Sequence, residues 1–276
     1  MGNVQLPEYS VLMSVYAKDR PDWLEAAFQS MARQTCPPSE MVIVEDGPLT
    51  DALYAMLDAI AAQCKIPVRR VSISVCGGLG NALHRGVMEC RCEWIARMDA
   101  DDIAAPDRCE AQLAAAQAHA ADIVGCDCEE FIEDPEICEN RRAFPETHAE
   151  LVRFSRRRTP FCHSAVMMKK RAVLDAGNYH DERLLEDYDL FVRMLMNGAI
   201  GYTVKRVLFY IRVSRDFFNR RSGWTYTKRL LQFNARLLRI GWMRPTDFLM
   251  RSAGNLLVGL APSGLREAVY KKVLRK

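Results

Sequence analysis

The 276-residue chain predicts an α/β fold, a mostly parallel central sheet with helices on both faces, followed by a basic helical extension. Three observations predict it. Four apolar runs of strand length alternate with segments of helical period in the first hundred residues, as in a wound parallel sheet. The fourth run, Trp94-Ile-Ala-Arg-Met-Asp-Ala-Asp-Asp-Ile103, ends in Asp99, Asp101 and Asp102, and strand ends are where such sheets place ligands. Beyond residue 213 strand-forming runs stop and amphipathic, Arg/Lys-rich segments take over.

Taken in order, Tyr9–Tyr16 is a first strand, and Pro21 opens a helix in which Trp23, Ala27, Ser30 and Met31 recur to about Gln34. Met41–Glu45 is a second strand ending in Glu45-Asp46-Gly47-Pro48. Thr50 is placed to cap a helix of Leu53, Met56, Leu57 and Ile60. Val68–Val75 is a third strand, Gly77–Gly86 opens a helix, and Glu93–Met98 is the fourth strand. Pro106 starts an alanine-rich helix to about Ala120, and Asp122–Cys126 is a short strand. Residues 129–160, acidic and then basic with Pro135, Pro145 and Pro160, read as an irregular crossover. Ser164–Met168 reads as a strand and Arg171–Ala176 as a helix ended by Gly177. Apolar positions 188, 191, 192 and 195 make Leu185–Leu195 a helix with Asp187 in its first turn, and Gly201–Val213 reads as a closing strand or hairpin.

Hydrophobic content of 49% and charged content of 26% are ordinary for a globular protein. The net charge of +3 conceals an asymmetry. Residues 205–276 hold 17 Lys/Arg against Asp216, Asp247 and Glu267, a balance of +14, which leaves −11 on the first 204. An acidic body with a basic tail suggests a metal and polar-ligand site in front and an anionic partner behind. The N-terminus lacks a basic region followed by an apolar core, and no stretch is long and apolar enough to span a bilayer. The 10 cysteines are therefore expected as free thiols in a reducing cytoplasm; Cys90-x-Cys92 and Cys126-x-Cys128 have the wrong spacing for a zinc knuckle.

Three carboxylates in so short a span repel one another unless a positive charge sits between them. Mn²⁺ or Mg²⁺ carrying a diphosphate suits that all-oxygen donor set; a solvated acidic turn is the alternative. The other strand ends supply Tyr16 and Asp19, Asp46, and the glycine turn containing Gly78, which together would make a nucleotide cleft. The glycine run matches neither the dinucleotide fingerprint nor a P-loop, and by itself also reads as a helix start. Asp46-Gly47 is equally a common turn pair.

These residues bring the chain to a resemblance. It resembles the family 2 glycosyltransferases of the GT-A type that build bacterial capsule, exopolysaccharide and O-antigen repeat units. The matching stretches are Ser10–Tyr16, Val44–Gly47, Gly78-Leu-Gly80 with Gly86, Arg97–Ile103 with Pro106, Arg108, Glu110 and Gln112, Phe161-x-His163-Ser164, and Glu186-Asp187-Tyr188-Asp189. They fall in family order across residues 9–213. Ser14-Val-Tyr16-Ala17 replaces the common Pro-x-Tyr-Asn, and Glu45-Asp46-Gly47-Pro48 replaces Asp-Asp-Gly-Ser.

The resemblance implies a GT-A catalytic domain over 1–213, with a nucleotide-sugar half over about 1–103, an acceptor half over about 104–213, and a separate extension over 214–276. It implies a nucleotide-sugar donor, with a UDP-sugar favoured, held by Tyr16, Asp19, Asp46, Gly78, Arg97 and Asp99. Asp101, with Asp99, would ligate Mn²⁺ or Mg²⁺, and Asp187 would be the catalytic base of an inverting transfer. His163, Glu186 and Arg212 are candidates for acceptor or phosphate contacts, as are Arg220 and Arg221; a core histidine and solvated arginines are the alternatives. The implied acceptor is a saccharide on a polyprenyl diphosphate. A sugar nucleotidyltransferase and a non-catalytic nucleotide-sugar-binding scaffold are the competing functions.

In the tail, Tyr226, Leu230, Phe233, Leu237 and Ile240 form a stripe at steps of three and four, and Thr246–Leu260 and Ser263–Leu274 read as further helices. With Trp224, Trp242 and Phe248, these fit a basic amphipathic segment on the anionic inner face of the cytoplasmic membrane; packing against the catalytic domain is the alternative. No nucleic-acid module is recognisable, so nucleic acid is not an expected partner.

Overall fold

The computed structural model describes residues 6–182, 184–213 and 223–260. The expected elements form in order: β1 (Tyr9–Val15), α1 (Pro21–Ala32), β2 (Glu40–Asp46), α2 (Asp51–Gln63), β3 (Val68–Ile73), α3 (Leu79–Glu89) and β4 (Trp94–Asp99). Pro21 stands in the first turn of α1, and the Thr50 hydroxyl caps α2 by accepting from the Leu53 N–H at 3.3 Å. The strands β3, β2, β1 and β4 lie side by side and parallel.

Beyond β4 the sheet is mixed. A two-residue β5 (Ile103–Ala104) precedes α4 (Arg108–Ala118), β6 (Ile123–Phe131) and β7 (Cys138–Arg142). Next come α5 (His148–Phe154), a 3₁₀ turn at His163–Ala165, β8 (Met167–Lys169), α6 (Lys170–Asp175), α7 (Glu186–Met196) and β9 (Gly201–Arg212). Antiparallel β8 joins β4 to β6, and β6 runs parallel to β9, giving the order β3-β2-β1-β4-β8-β6-β9-β5 with β7 on β6. The parallel arrangement thus covers the first four strands.

Side chains alternate across this sheet as period-two strands require. Val11, Met13, Met41 and Ile43 face α1, α2 and α4, whereas Leu12, Val42 and Val44 face α3 and α7. Helices cover both faces of β1 and the middle of β2, so Val11–Met13 and Met41–Val44 form apolar runs.

Two segments depart from the sequence expectation. Residues 129–160 are not an irregular crossover: β6 extends to Phe131, β7 returns along it, and α5 follows. The pairing is hidden in the sequence because it is built from charges. Buried Asp127 accepts from Arg141 at 2.9 Å and from Lys205 at 2.9 Å, and buried Glu130 accepts from Arg142 at 2.6 Å. Ser164–Met168 divides into the end of the 3₁₀ turn and the first residues of β8.

The C-terminal extension is docked. Its helices α8 (Trp224–Arg239) and α9 (Pro245–Leu260) bring Phe233, Leu237 and Met243 against Leu185, Tyr188 and Val192 around α7. The Trp242 indole donates to Ser155 at 3.2 Å, and Arg157 pairs with Asp247 at 2.6 Å. Most of the apolar stripe expected to meet a membrane is therefore spent on packing. The segment Ser263–Leu274, with Arg220 and Arg221, lies outside the described residues.

Candidate active site

The acidic run sits where β4 leaves the sheet. Asp99 closes the strand, and Asp101 and Asp102 follow in the turn before β5. Each of the three offers a carboxylate oxygen, and these oxygens lie within 4.8 Å of one another. Burial and the neighbouring Asp99 push the Asp101 carboxyl up to about 6. Burial also holds Asp102 well above the usual carboxylate range, with Asp101 and Asp99 adding to the effect. Asp19, in the turn after β1, is pushed up to about 7 by burial, with Asp101 and Asp99 acting in the same direction. A cluster that resists its own ionisation this way is short of positive charge. Its hard oxygen donors and close spacing fit Mn²⁺ or Mg²⁺. Asp99 and Asp101 are half-buried and reach solvent; Asp102 is buried and accepts from the Arg212 N–H at 2.9 Å.

Three expected ligand-binding residues have other neighbours. Arg97 is fully buried behind Asp99, one strand period away on the same side, and pairs with it at 2.5 Å. Its nitrogens make no aligned hydrogen bond. Arg212 stacks on Trp23 and Phe131, with its guanidinium carbon 4.6 and 4.4 Å from the ring centres. Its Nε donates to the Asp101 carbonyl at 3.0 Å, so it braces the acidic turn. Asp46 is 4% exposed and accepts from the Gly77 and Gly78 N–H groups at 2.8 and 2.9 Å. It shapes the glycine turn, and Gly78 at φ +88° caps α3 in a conformation closed to most residues. Tyr16 is exposed beside Asp19, to whose carboxylate its N–H donates at 2.9 Å.

The Pro106–Gln112 stretch is structural. Arg108, fully buried, donates to the Arg97 carbonyl at 2.8 Å and to Gln112 at 3.0 Å. Gln112 in turn donates to the carbonyls of Val124 and Ala165. This network fixes β4, and hence Asp99, against β6 and the 3₁₀ turn.

The second acidic centre opens α7. Glu186 and Asp187 are its first two residues, where the helix dipole favours negative charge. Burial and Asp187 push Glu186 up to about 7, and its Oε2 is buried without a hydrogen-bond partner. The next carboxylate, Asp189, is committed elsewhere, accepting from Arg193 at 2.8 Å and Arg236 at 2.6 Å. Tyr179 joins the two centres. Burial raises its phenol, which also feels Arg97, Asp187, Glu186 and Asp99. His163 makes a 2.9 Å hydrogen bond with the Tyr179 hydroxyl, and burial, reinforced by Arg97, keeps its imidazole neutral. A cleft of about 430 Å³ runs between the glycine turn and α7, lined by Gly77–Gly80, Glu186, Asp181, Glu182 and Arg229. Asp99 and Asp101 are not part of that lining. Tyr179 escaped the sequence reading, and Arg229 counted there only as part of the tail's basic face; neither stands in a motif, and only the fold brings them to the site.

Residues 10–177 match the model of the glycosyl transferase family 2. The chain belongs to this family. It is 31% identical to the UDP-Gal:alpha-D-GlcNAc-diphosphoundecaprenol beta-1,3-galactosyltransferase of Escherichia coli, over 98% of this chain and 98% of that one. It is 32% identical to the amylovoran biosynthesis glycosyltransferase AmsE of Erwinia amylovora, over 96% and 98% of the two chains. The fold is shared with the mannosyltransferase PcManGT of Pyrobaculum calidifontis, solved with GDP-Man and Mn²⁺, at a TM-score of 0.68 and 18% identity over 97% of this chain and 74% of that one. The chain is thus a glycosyltransferase with a GT-A-like fold, and the nucleotidyltransferase and scaffold alternatives fall away.

Proposed function

We propose that this glycosyltransferase moves a sugar from a UDP-sugar to a saccharide carried on a polyprenyl diphosphate, inverting the anomeric centre, in the assembly of a bacterial surface polysaccharide. The observation that carries the reading is the pair of acidic centres: Asp99, Glu186 and Asp187 all lie within electrostatic reach of one buried phenol, and Asp101 clusters with Asp99. Glycosyl transfer in one displacement needs this pairing, with one end to hold the departing diphosphate and the other to take the acceptor proton. The donor and acceptor classes rest on the relatives, one of which uses UDP-Gal and a diphosphoundecaprenol acceptor.

Asp187 is the general base. It takes the proton of the acceptor hydroxyl as that oxygen attacks the anomeric carbon from the face opposite the diphosphate. Mn²⁺ or Mg²⁺ held by Asp101 and Asp99 would offset charge on the departing diphosphate. Asp19 and Tyr16 border the nucleotide side, and Asp46 keeps the glycine turn in shape. Arg97 holds Asp99 in place through their ion pair. Glu186, its carboxyl pushed up to about 7, suits hydrogen bonding to a sugar hydroxyl.

Among the described residues no helix is long and apolar enough to cross a membrane. Contact with the anionic inner leaflet falls to what packing leaves exposed, namely Trp224, Leu249, Met250 and Leu257 on α8 and α9. Flotation with anionic vesicles tests it; wild-type protein that stays with the pellet rejects it. The donor is tested by thermal shift with UDP-, GDP- and dTDP-sugars and Mn²⁺, where the true ligand stabilises by mass action. Stabilisation by a GDP- or dTDP-sugar alone would overturn the UDP assignment.

A further inference from the structure

The sugar cleft does not end at Glu186. It continues into a second hollow of about 610 Å³ on α8, and Asp181, Glu182 and Arg229 belong to both. Across that boundary the chemistry changes. The first part offers carboxylates and glycine backbone, the partners that sugar hydroxyls use. The second is walled by Arg229, Gln232, Arg236 and Arg239, one stripe of α8 at steps of three and four. Arg236 is held by Glu182 and by Asp189 at 2.6 Å, so it is a fixed strut. Arg229 and Arg239 flank it, both exposed and neither in an ion pair among the described residues. Asp181 is the remaining carboxylate of the lining.

The geometry points to a diphosphate-ester subsite on α8, formed by Arg229 and Arg239 about Arg236, that seats the diphosphate of a sugar-diphospho-lipid acceptor. A sugar joined to a diphosphate has the same two-part chemistry as the joined hollows, a neutral polyhydroxyl head followed by an anion. Paired guanidinium groups are the side chains best suited to phosphate oxygens. The donor carries a diphosphate too, but its place beside Asp101 is outside both linings. The subsite therefore deepens the acceptor reading proposed above, and rests on it. It also gives the extension a catalytic purpose: the stripe that packs Phe233 and Leu237 on α7 brings the arginine stripe to the cleft.

The test compares two acceptors, an N-acetylglucosaminyl-diphospho-alkyl compound and the same sugar as an alkyl glycoside without phosphate. Arg229→Ala and Arg239→Ala are each expected to raise KM for the diphosphate acceptor about tenfold, the scale of a lost charge-assisted hydrogen bond. The glycoside KM stays put, so the preference between acceptors collapses. Arg244→Ala, an exposed arginine outside the lining, leaves the preference intact. Calorimetry with UDP and Mn²⁺ forms the donor arm, and the two variants are expected to match wild type there. Equal losses on both acceptors overturn the subsite. So does a loss confined to UDP binding, or one seen only with anionic vesicles. Should wild type transfer to neither compound, the acceptor class under the proposed function fails. Direct titration with the diphosphate compound then decides the subsite: saturable binding lost in Arg229→Ala upholds it, and no binding by wild type rejects it.

Discussion

Asp101→Asn is expected to make a more stable protein that no longer works. In the metal-free chain, burial and Asp99 hold the Asp101 carboxyl at about 6 against an ordinary 3.8. A raised folded value means the folded state holds the proton more tightly than the unfolded chain. The stability this group contributes is full below about 3.8 and lost as pH rises through about 6. The gap corresponds to at most about 3 kcal/mol. Solvent reaching the half-buried carboxylate cuts this to about 1–2 kcal/mol. Asparagine keeps the shape and removes the charge. In EDTA, the variant should melt about 2–6 °C above wild type at pH 8 and level with it at pH 4. Mn²⁺ should reverse the ranking, because wild type gains stability by binding it and the variant has lost a ligand. Differential scanning fluorimetry at the two pH values, with EDTA or Mn²⁺, reads all four conditions. A variant that melts at or below wild type at pH 8 in EDTA, or that keeps the full Mn²⁺ shift, refutes the account of the acidic cluster.

Asp187→Asn should lower transfer by about 10²–10⁴-fold with donor affinity unchanged, read by single-turnover transfer beside calorimetry; full transfer would remove the base assignment. Asp46→Ala strands the Gly77 and Gly78 N–H groups, which should cost about 1–3 kcal/mol in urea unfolding; an unchanged midpoint would mean that Asp46 does not hold the glycine turn. Phe233→Ala opens the contact between α8 and α7 and should cost about 3–4 kcal/mol; an unchanged urea midpoint would mean the extension is not docked as described.

The parts of this molecule that could be read along the chain are those whose cause is local. Alternation in β1 and β2, the Thr50 cap, the positive-φ Gly177 after α6 and the place of Asp187 in the first turn of α7 all follow from residues within one turn or strand of each other. What could not be read is which distant group a charge or an apolar face meets. Residues 129–160 look like a loop because of their charges and prolines, yet Glu130, like Asp127 just before the segment, is buried against arginines of β7, more than ten residues on. Arg97 and Arg212 look like ligand contacts for the same reason. One is the hidden counter-charge of Asp99, and the other braces the Asp101 turn from 111 residues away. Periodicity gives the apolar face of α8 but not its cover, and α7 takes most of that face from the membrane. The same docking turns a neighbouring face, with its arginines, toward the cleft. Arg229, Arg236 and Arg239, part of the tail's positive charge, thus line the hollow because the helix is packed by its apolar stripe, and the proposed subsite follows from that packing.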